Sequence, residues 1–271
     1  MTKSHITLLT LLCILSGARA DFTFVQVSDT HVGVNQAAYN ARFTEAIRRI
    51  NDLKPAFVIH TGDALQTWSP ENAARFKEIS KSLAAPVYIS PGNHDIQGIK
   101  DKGVEPVNAW NAAFGSDQVS FEHEGCVFSG LDSNLFNSGL PAEKEQIARL
   151  KSELRKAKGK RIFIFQHCPL FLDKPGDPNG NYFLVDNPAR GEVLKLLKQY
   201  RVEAVLTGHV HRHIESHFGG ISFISTPGTS FSCAEDKGLT GYRVFSVSTG
   251  GFTTRFVDLR RTGAPPEMTG Q

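Results

Sequence analysis

Five short polar clusters, each at the end of an apolar, β-rich run, constrain this chain more than any other feature. Residues 22–28 end at Asp29-Thr30-His31, residues 57–60 at Thr61-Gly62-Asp63, and residues 87–90 at Pro91-Gly92-Asn93-His94-Asp95. Further on, residues 161–166 deliver His167, and residues 202–206 lead to Thr207-Gly208-His209-Val210-His211. Short runs of β-branched and aromatic residues bounded by turn formers read as buried strands. Between the first of them the spacing predicts helices. Ala41, Ala46, Ile47 and Ile50 share one face over residues 36–53, and Ser69-Pro70 opens a second helix with Ser69 as N-cap and Ile79 and Leu83 on its apolar face. Strand, polar loop and helix in rotation make an α/β pattern, in which ligands collect at the C-terminal ends of strands. The five clusters are therefore expected along one sheet edge.

The rest of the chain fits the same plan. Residues 98–116 read as an irregular insertion, followed by strands over 119–121 and 126–131 and a charged helix over 141–157. The Pro-, Gly-, Asp- and Asn-rich stretch 169–188 exceeds the roughly 12–15 residues beyond which irregular loops are uncommon and often functional. It starts directly after His167, and is expected to form a rim of the active site. A helix over 189–200 follows, then hairpins turning at Gly219-Gly220 and Gly250-Gly251, pairs suited to tight turns that need positive φ. No repeat, linker or low-complexity stretch divides the chain, so one domain over 21–262 is expected, with 263–271 as a flexible C-terminal tail.

The N-terminus reads differently. Lys3 and His5 precede an apolar run over residues 6–15, and Ser16-Gly17-Ala18-Arg19-Ala20 ends in a small-x-small pattern. The run is shorter than the about 20 apolar residues that span a bilayer. Residues 1–20 are expected to be a cleaved signal peptide, with an exported product, periplasmic or extracellular, and no stable membrane insertion afterwards. Losing Lys3 and Arg19 lowers the formal net charge from +3 to +1, which leaves no electrostatic case for nucleic acid or an anionic membrane. Cys126, Cys168 and Cys233 remain, with no C-x-x-C spacing, and are expected to be inert thiols.

Carboxylate, amide and imidazole donors without thiolates suit Fe, Mn, Zn or Co better than a cysteine-built structural zinc site. The donors of the five clusters, Asp29, His31, Asp63, the run Asn93-His94-Asp95, His167, His209 and His211, are too many ligands for one tetrahedral ion, and about right for two ions sharing a bridge.

In order, the motifs D-x-H, G-D, G-N-H-D, H and G-H-x-H resemble those of the calcineurin-like metallophosphoesterase superfamily, with matching positions over residues 29–211. The resemblance implies a two-sheet β-sandwich flanked by helices, with two divalent or trivalent metal ions (Fe, Mn or Zn) at the sheet edge. It implies one metal seat of Asp29, His31, His211 and a bridging Asp63, and a second of Asp63, Asn93, His167 and His209. His94 is left unligated beside the scissile phosphate as proton donor or charge stabiliser. Two cations about 3.5–4 Å apart lower the pKa of a shared water and clamp the phosphoryl oxygens. Asp95 is expected to orient His94 as a second catalytic residue, the alternative being a turn-capping carboxylate. Asn93, Arg190 and Tyr182, with Phe183, are expected to line the substrate pocket, the alternative for the last three being helix-cap and packing roles. His60, His123, His213 and His217 match no ligand position and are expected to be structural or solvated.

Gln66 stands where purple acid phosphatases carry a tyrosine, so a tyrosinate–iron site is not expected. The stretches around Asn181-Tyr182-Phe183, Arg190 and residues 202–212, with Trp68 after Gly62-Asp63, look similar to a branch with serine/threonine-type phosphomonoesterase activity. A phosphate monoester is the expected substrate. The alternatives are a phosphodiesterase for cyclic nucleotides or phospholipid head groups, and an inactive metal-stabilised binding module, the latter disfavoured by the intact His94 and ligand set.

Overall fold

The computed structural model describes residues 22–233, 235 and 238–261. The expected signal peptide (1–20) and tail (263–271) lie outside the described residues. Among the described residues no helix is long and apolar enough to cross a membrane.

Two sheets pack face to face. The first is ordered β11 (Gly251–Asp258), β10 (Gly241–Ser248), β1 (Phe22–Val27), β2 (Val58–His60), β3 (Val87–Ile89). The second is ordered β4 (Ser120–His123), β5 (Cys126–Gly130), β6 (Arg161–Phe165), β7 (Ala204–Thr207), β9 (Ile221–Ser225), β8 (Ile214–Phe218). β1, β2 and β3 run parallel, as do β5, β6, β7 and β9, and the other pairings are antiparallel.

The strand sequences explain the layering. Period-2 alternation splits each central strand into two apolar faces, as expected for strands buried on both sides. Phe24 of β1 points into the sandwich, where its ring stacks on Phe245 at 4.6 Å and on Phe57 at 5.2 Å. Phe163 of β6 does the same from the opposite sheet, stacking on Phe128 at 5.0 Å. Val25 and Val27 point outward, to a second cluster with Phe43, Ile47 and Ile50 of α1 (Ala37–Leu53) and Phe76 of α2 (Pro70–Ser80). Ile162 and Ile164 point outward from the other sheet, onto Leu150 and Leu154 of a helix over Pro141–Lys156 and Val193 and Leu197 of a helix over Ala189–Gln199. The result is the expected helix-flanked β-sandwich. The predicted start of α2 is also observed, Ser69 accepting from Asn72 N at 3.1 Å.

One expectation is corrected. Residues 98–116 are not irregular but hold α3 (Ile99–Lys102) and α4 (Glu105–Phe114), which makes α5 and α6 of the two helices just named. Pro106 lies in the first turn of α4, and Val107, Trp110 and Phe114, at i, i+3 and i+7, close the α1–α2 side of the core.

Candidate functional site

The five polar clusters meet at one end of the sandwich, because the strands that precede them run in register within two parallel sets. β1, β2 and β3 deliver Asp29 and His31, Asp63, and Asn93 and His94, while β6 and β7 of the other sheet deliver His167, and His209 and His211. The backbone turns sharply as it leaves each strand. Asp29, His31, Asp63, His209 and His211 all have positive φ, between 45° and 68°, five of the nine non-glycine residues that do so among the described residues. Such conformations are uncommon outside glycine and persist where the surroundings over-determine them. Two glycines let the loops come this close. A Cβ on Gly92 would stand 2.2 Å from Asp63 Oδ1, and one on Gly208 would stand 2.5 Å from Asp29 Oδ2.

Hydrogen bonds decide which atom of each side chain faces the centre. Backbone carbonyls can only accept, so the nitrogens that meet them carry the proton: His167 Nδ1 to Thr61 O (2.8 Å), His211 Nδ1 to Phe231 O (2.9 Å), His209 Nε2 to Tyr182 O (3.0 Å) and His94 Nδ1 to Gln66 O (2.7 Å). This leaves His167 Nε2, His211 Nε2 and His209 Nδ1 as the ring atoms that face the cluster, the arrangement that prepares imidazoles for a cation. Asp29 Oδ2 accepts from Ser28 Oγ (2.5 Å) and His209 N (3.1 Å), and Asp63 Oδ1 accepts from His94 N (2.9 Å). The other oxygens point inward. Asp29 Oδ1 lies 3.2 Å from His211 Nε2, and Asp63 Oδ2 lies 3.3 Å from His167 Nε2 and 3.7 Å from His31 Nε2.

Among the described residues three groups of donors are close enough to hold a cation: Asp29, His31 and His211; Asp63, His167 and His209; and His31, Asp63 and His94. The fit to a metal rests on atoms that protein does not satisfy. Asp29 Oδ1 and both ring nitrogens of His31 are buried without a hydrogen-bond partner, a costly state that a cation relieves. The electrostatics agree. Burial lowers His31 to about 4, and burial with the neighbouring His167 lowers His209 to about 4, so both stay neutral. Burial opposes charge at His167 too, but Asp63 and Asp29 outweigh it and raise that ring to about 9. Burial would raise Asp63, yet His167 and its neighbours hold it down at about 2. Burial opposes charge at His211 as well, but Asp29 outweighs it and raises that ring, so the cluster favours positive charge beside Asp63 and Asp29 and neutral rings at His31 and His209.

The family model described as calcineurin-like phosphoesterase matches residues 22–213. The chain belongs to this family. Calcineurin-like phosphoesterases similar to it include a serine/threonine-protein phosphatase CPPED1 of Danio rerio, 26% identical over 88% of this chain and 85% of that protein. A probable glycerophosphodiester phosphodiesterase GpdQ of Arcobacter nitrofigilis is 30% identical, over 78% of this chain and 80% of its own length. A 3',5'-cyclic adenosine monophosphate phosphodiesterase CpdA of Haemophilus influenzae is 26% identical over 78% of each chain. In fold, the chain resembles the yellow lupin purple acid phosphatase PPD1 with a TM-score of 0.62 at 14% identity, over 88% of this chain and 52% of that one. This calcineurin-like phosphoesterase is thus a hydrolase of phosphoester bonds, in a metal-dependent family, with residues placed to bind metal.

Two predicted site residues stand apart. Asp95 does not orient His94: its carboxylate accepts from Gly92 N (2.8 Å), Leu65 N (2.9 Å) and Ala64 N (3.1 Å), and so ties the Asp63 loop to the Asn93 loop. The turn-capping alternative is the one observed, while Gln66 O holds His94. Arg190 lies buried in the first turn of α6, and its Nη2 donates to Asp177 O (2.5 Å) and Asn179 Oδ1 (3.1 Å), bracing the 169–188 loop rather than facing the centre. Tyr182 does reach the site, its ring 5.0 Å from that of His209, and with Phe183 it remains exposed, at 67% and 42%, on the expected rim. His60 is structural: Nδ1 accepts from Gly62 N and Nε2 donates to Thr30 Oγ1 (3.0 Å), beneath the cluster. Among the described residues Cys168 is a free thiol.

Phe231 was missed by sequence reasoning. Its ring stacks on His211 at 4.1 Å and tilts against His31 at 4.9 Å, and Tyr39 packs behind it at 5.5 Å. A signal existed: β9 is parallel to β7, so Thr226-Pro-Gly-Thr-Ser-Phe231 leaves a strand at the same sheet edge. Without a charged residue it stood out as no candidate site.

Proposed function

We propose that this chain is an exported phosphomonoesterase that works with two metal ions. Asp29, His31, Asp63 and His211 hold one ion, and Asp63, Asn93, His167 and His209 the other. The observation that carries this reading is the inward oxygen of Asp63, which lies between His31 Nε2 at 3.7 Å and His167 Nε2 at 3.3 Å and so faces both donor groups. Cations bound there supply charge neutralisation for the phosphoryl oxygens and a nucleophile from water at neutral pH. The chain's own residues do the rest. His94, with Nδ1–H committed to Gln66 O, presents Nε2 to the leaving oxygen, and when protonated donates from that atom. Phe231 and Tyr39 on one flank, and Tyr182 and Phe183 on the other, shield the reacting phosphate from bulk water.

Monoester specificity is supported by the similarity to serine/threonine-protein phosphatases, which extends over 85% to 90% of this chain, against 78% for the phosphodiesterase relatives of A. nitrofigilis and H. influenzae. Export is supported by the signal-like residues 1–20. The test is hydrolysis of p-nitrophenyl phosphate against bis-p-nitrophenyl phosphate by purified mature protein with Mn²⁺, Zn²⁺ or Fe²⁺. A higher kcat/KM for the bis-ester overturns the monoester assignment, and retention of the unprocessed chain inside an expressing cell overturns export.

A further inference from the structure

The ligands of the two seats are held in place by different parts of the fold. Asp29 and His211 are fixed from Ser28 and the backbone of His209, just past the ends of β1 and β7, and from the backbone of Phe231 in the loop after β9. The second seat is held partly from outside. Two of its four ligands meet a single residue on the 169–188 loop: His209 Nε2 donates to the Tyr182 carbonyl at 3.0 Å, and Asn93 Nδ2 donates to the Tyr182 hydroxyl at 3.0 Å. The second contact settles a choice that Asn93 cannot make alone. An amide can present either its oxygen or its NH₂ to a cation, and only the oxygen binds one. With Nδ2 committed to Tyr182, Asn93 Oδ1 turns inward, 3.0 Å from His167 Nε2.

The loop that carries Tyr182 is built to hold it. The Asp177 carboxylate accepts from Leu172 N, Asp173 N and Lys174 N, Asp186 accepts from Gly180 N, and Val185 N donates to Pro169 O at 2.9 Å. Arg190, buried behind, donates to Asp177 O and Asn179 Oδ1. A stretch without helix or strand is thus cross-braced, and places one exposed tyrosine on two ligands.

We propose that Tyr182 is a positioning residue for the second metal seat alone, its hydroxyl selecting the metal-binding orientation of the Asn93 amide. The inference rests on the two-seat reading of the site. Residues that orient metal ligands from behind typically contribute about 10–100-fold to metal affinity, and a single neutral hydrogen bond belongs at the low end of that range.

The test is calorimetric titration of the metal-free full chain with Mn²⁺. Tyr182→Phe removes the hydroxyl and keeps the ring and the carbonyl. It is expected to weaken one of the two dissociation constants by about tenfold and to move the other by less than about twofold. The tighter or unaffected ion also reports that the variant is folded. Removing one seat at a time assigns the effect. On a His211→Ala background, which keeps the second seat, Tyr182→Phe still weakens the remaining ion; on a His167→Ala background it does not. Equal weakening of both ions, no weakening of either, or weakening on the His167→Ala background overturns the proposal. A wild-type chain that binds a single ion instead overturns the two-seat reading itself.

Discussion

Replacing Asp95 by asparagine separates the two roles that its place in G-N-H-D allows. The side chain is fully buried, with Oδ2 accepting from Gly92 N and Ala64 N and Oδ1 from Leu65 N, at 2.8 to 3.1 Å. Asparagine has the same shape but one acceptor oxygen. Whichever way its amide turns, at least one of the three N–H groups loses its acceptor and faces an NH₂ donor instead. A buried donor left unsatisfied costs about 1–3 kcal/mol. For a chain of this size that lowers Tm by roughly 2–4 °C per kcal/mol, so a fall of about 2–12 °C is expected in scanning calorimetry of the metal-free protein. His94 is held by Gln66 O and not by Asp95, so the pH dependence of kcat keeps the position of its limbs. The reasoning is refuted by the opposite pattern: an unchanged Tm with a displaced limb of the kcat profile, which is what an Asp95–His94 pair requires.

Three further outcomes follow from the same geometry. His94→Asn is expected to lower kcat by about 10²–10⁴ with metal content intact by elemental analysis, and wild-type turnover contradicts the assigned proton donation. Gly92→Ala places a methyl group 2.2 Å from Asp63 Oδ1 and 2.3 Å from Asp63 N, so metal content is expected to fall below that of the wild type, and retention of the full content shows that the loop yields without moving Asp63. Burial, and then the charge of Asp117, push the carboxyl of Asp132 up to about 7 in the folded chain, from 3.8 as its ordinary value. The unfolded chain then binds fewer protons than the folded one between about pH 4 and 7, so this group's contribution to stability is lost as pH rises through that window. Asp132→Asn is expected to flatten the fall, and identical slopes of urea midpoint against pH in both proteins speak against the shift.

The candidate ligands were legible in the sequence because each is a polar residue just past an apolar strand, and strand period and strand ends are local properties. Asp29, His31, Asp63, Asn93, His167, His209 and His211 needed the rule that parallel strands bring their C-terminal ends to one edge, but the expected single edge is two, one from each sheet, and the packing of the sheets brings them together. α4 was hidden because a stretch bounded by Gly103 and Gly115 reads as broken, although Val107, Trp110 and Phe114 already stood at helical spacing. Phe231 was hidden for the opposite reason. It carries no charge, and its place beside His211 depends on β9 pairing with β7, a contact between separate parts of the chain.

Asp95 marks the boundary between the two kinds of knowledge. By itself the sequence determined the chemical inventory, namely which donors this chain offers, at which strand ends, and that Gln66 replaces the tyrosine of an iron–tyrosinate site. Only the tertiary structure decided how each donor is used: that the Asp95 carboxylate goes to the N–H groups of Ala64, Leu65 and Gly92, that Asp63 keeps an oxygen free between two histidines, and that Arg190 braces a loop. The physical reason is that a side chain's ligand chemistry is carried by its own atoms. Its partners are set by whichever donors folding brings within about 3 Å, and here most of these come from loops that are distant in sequence.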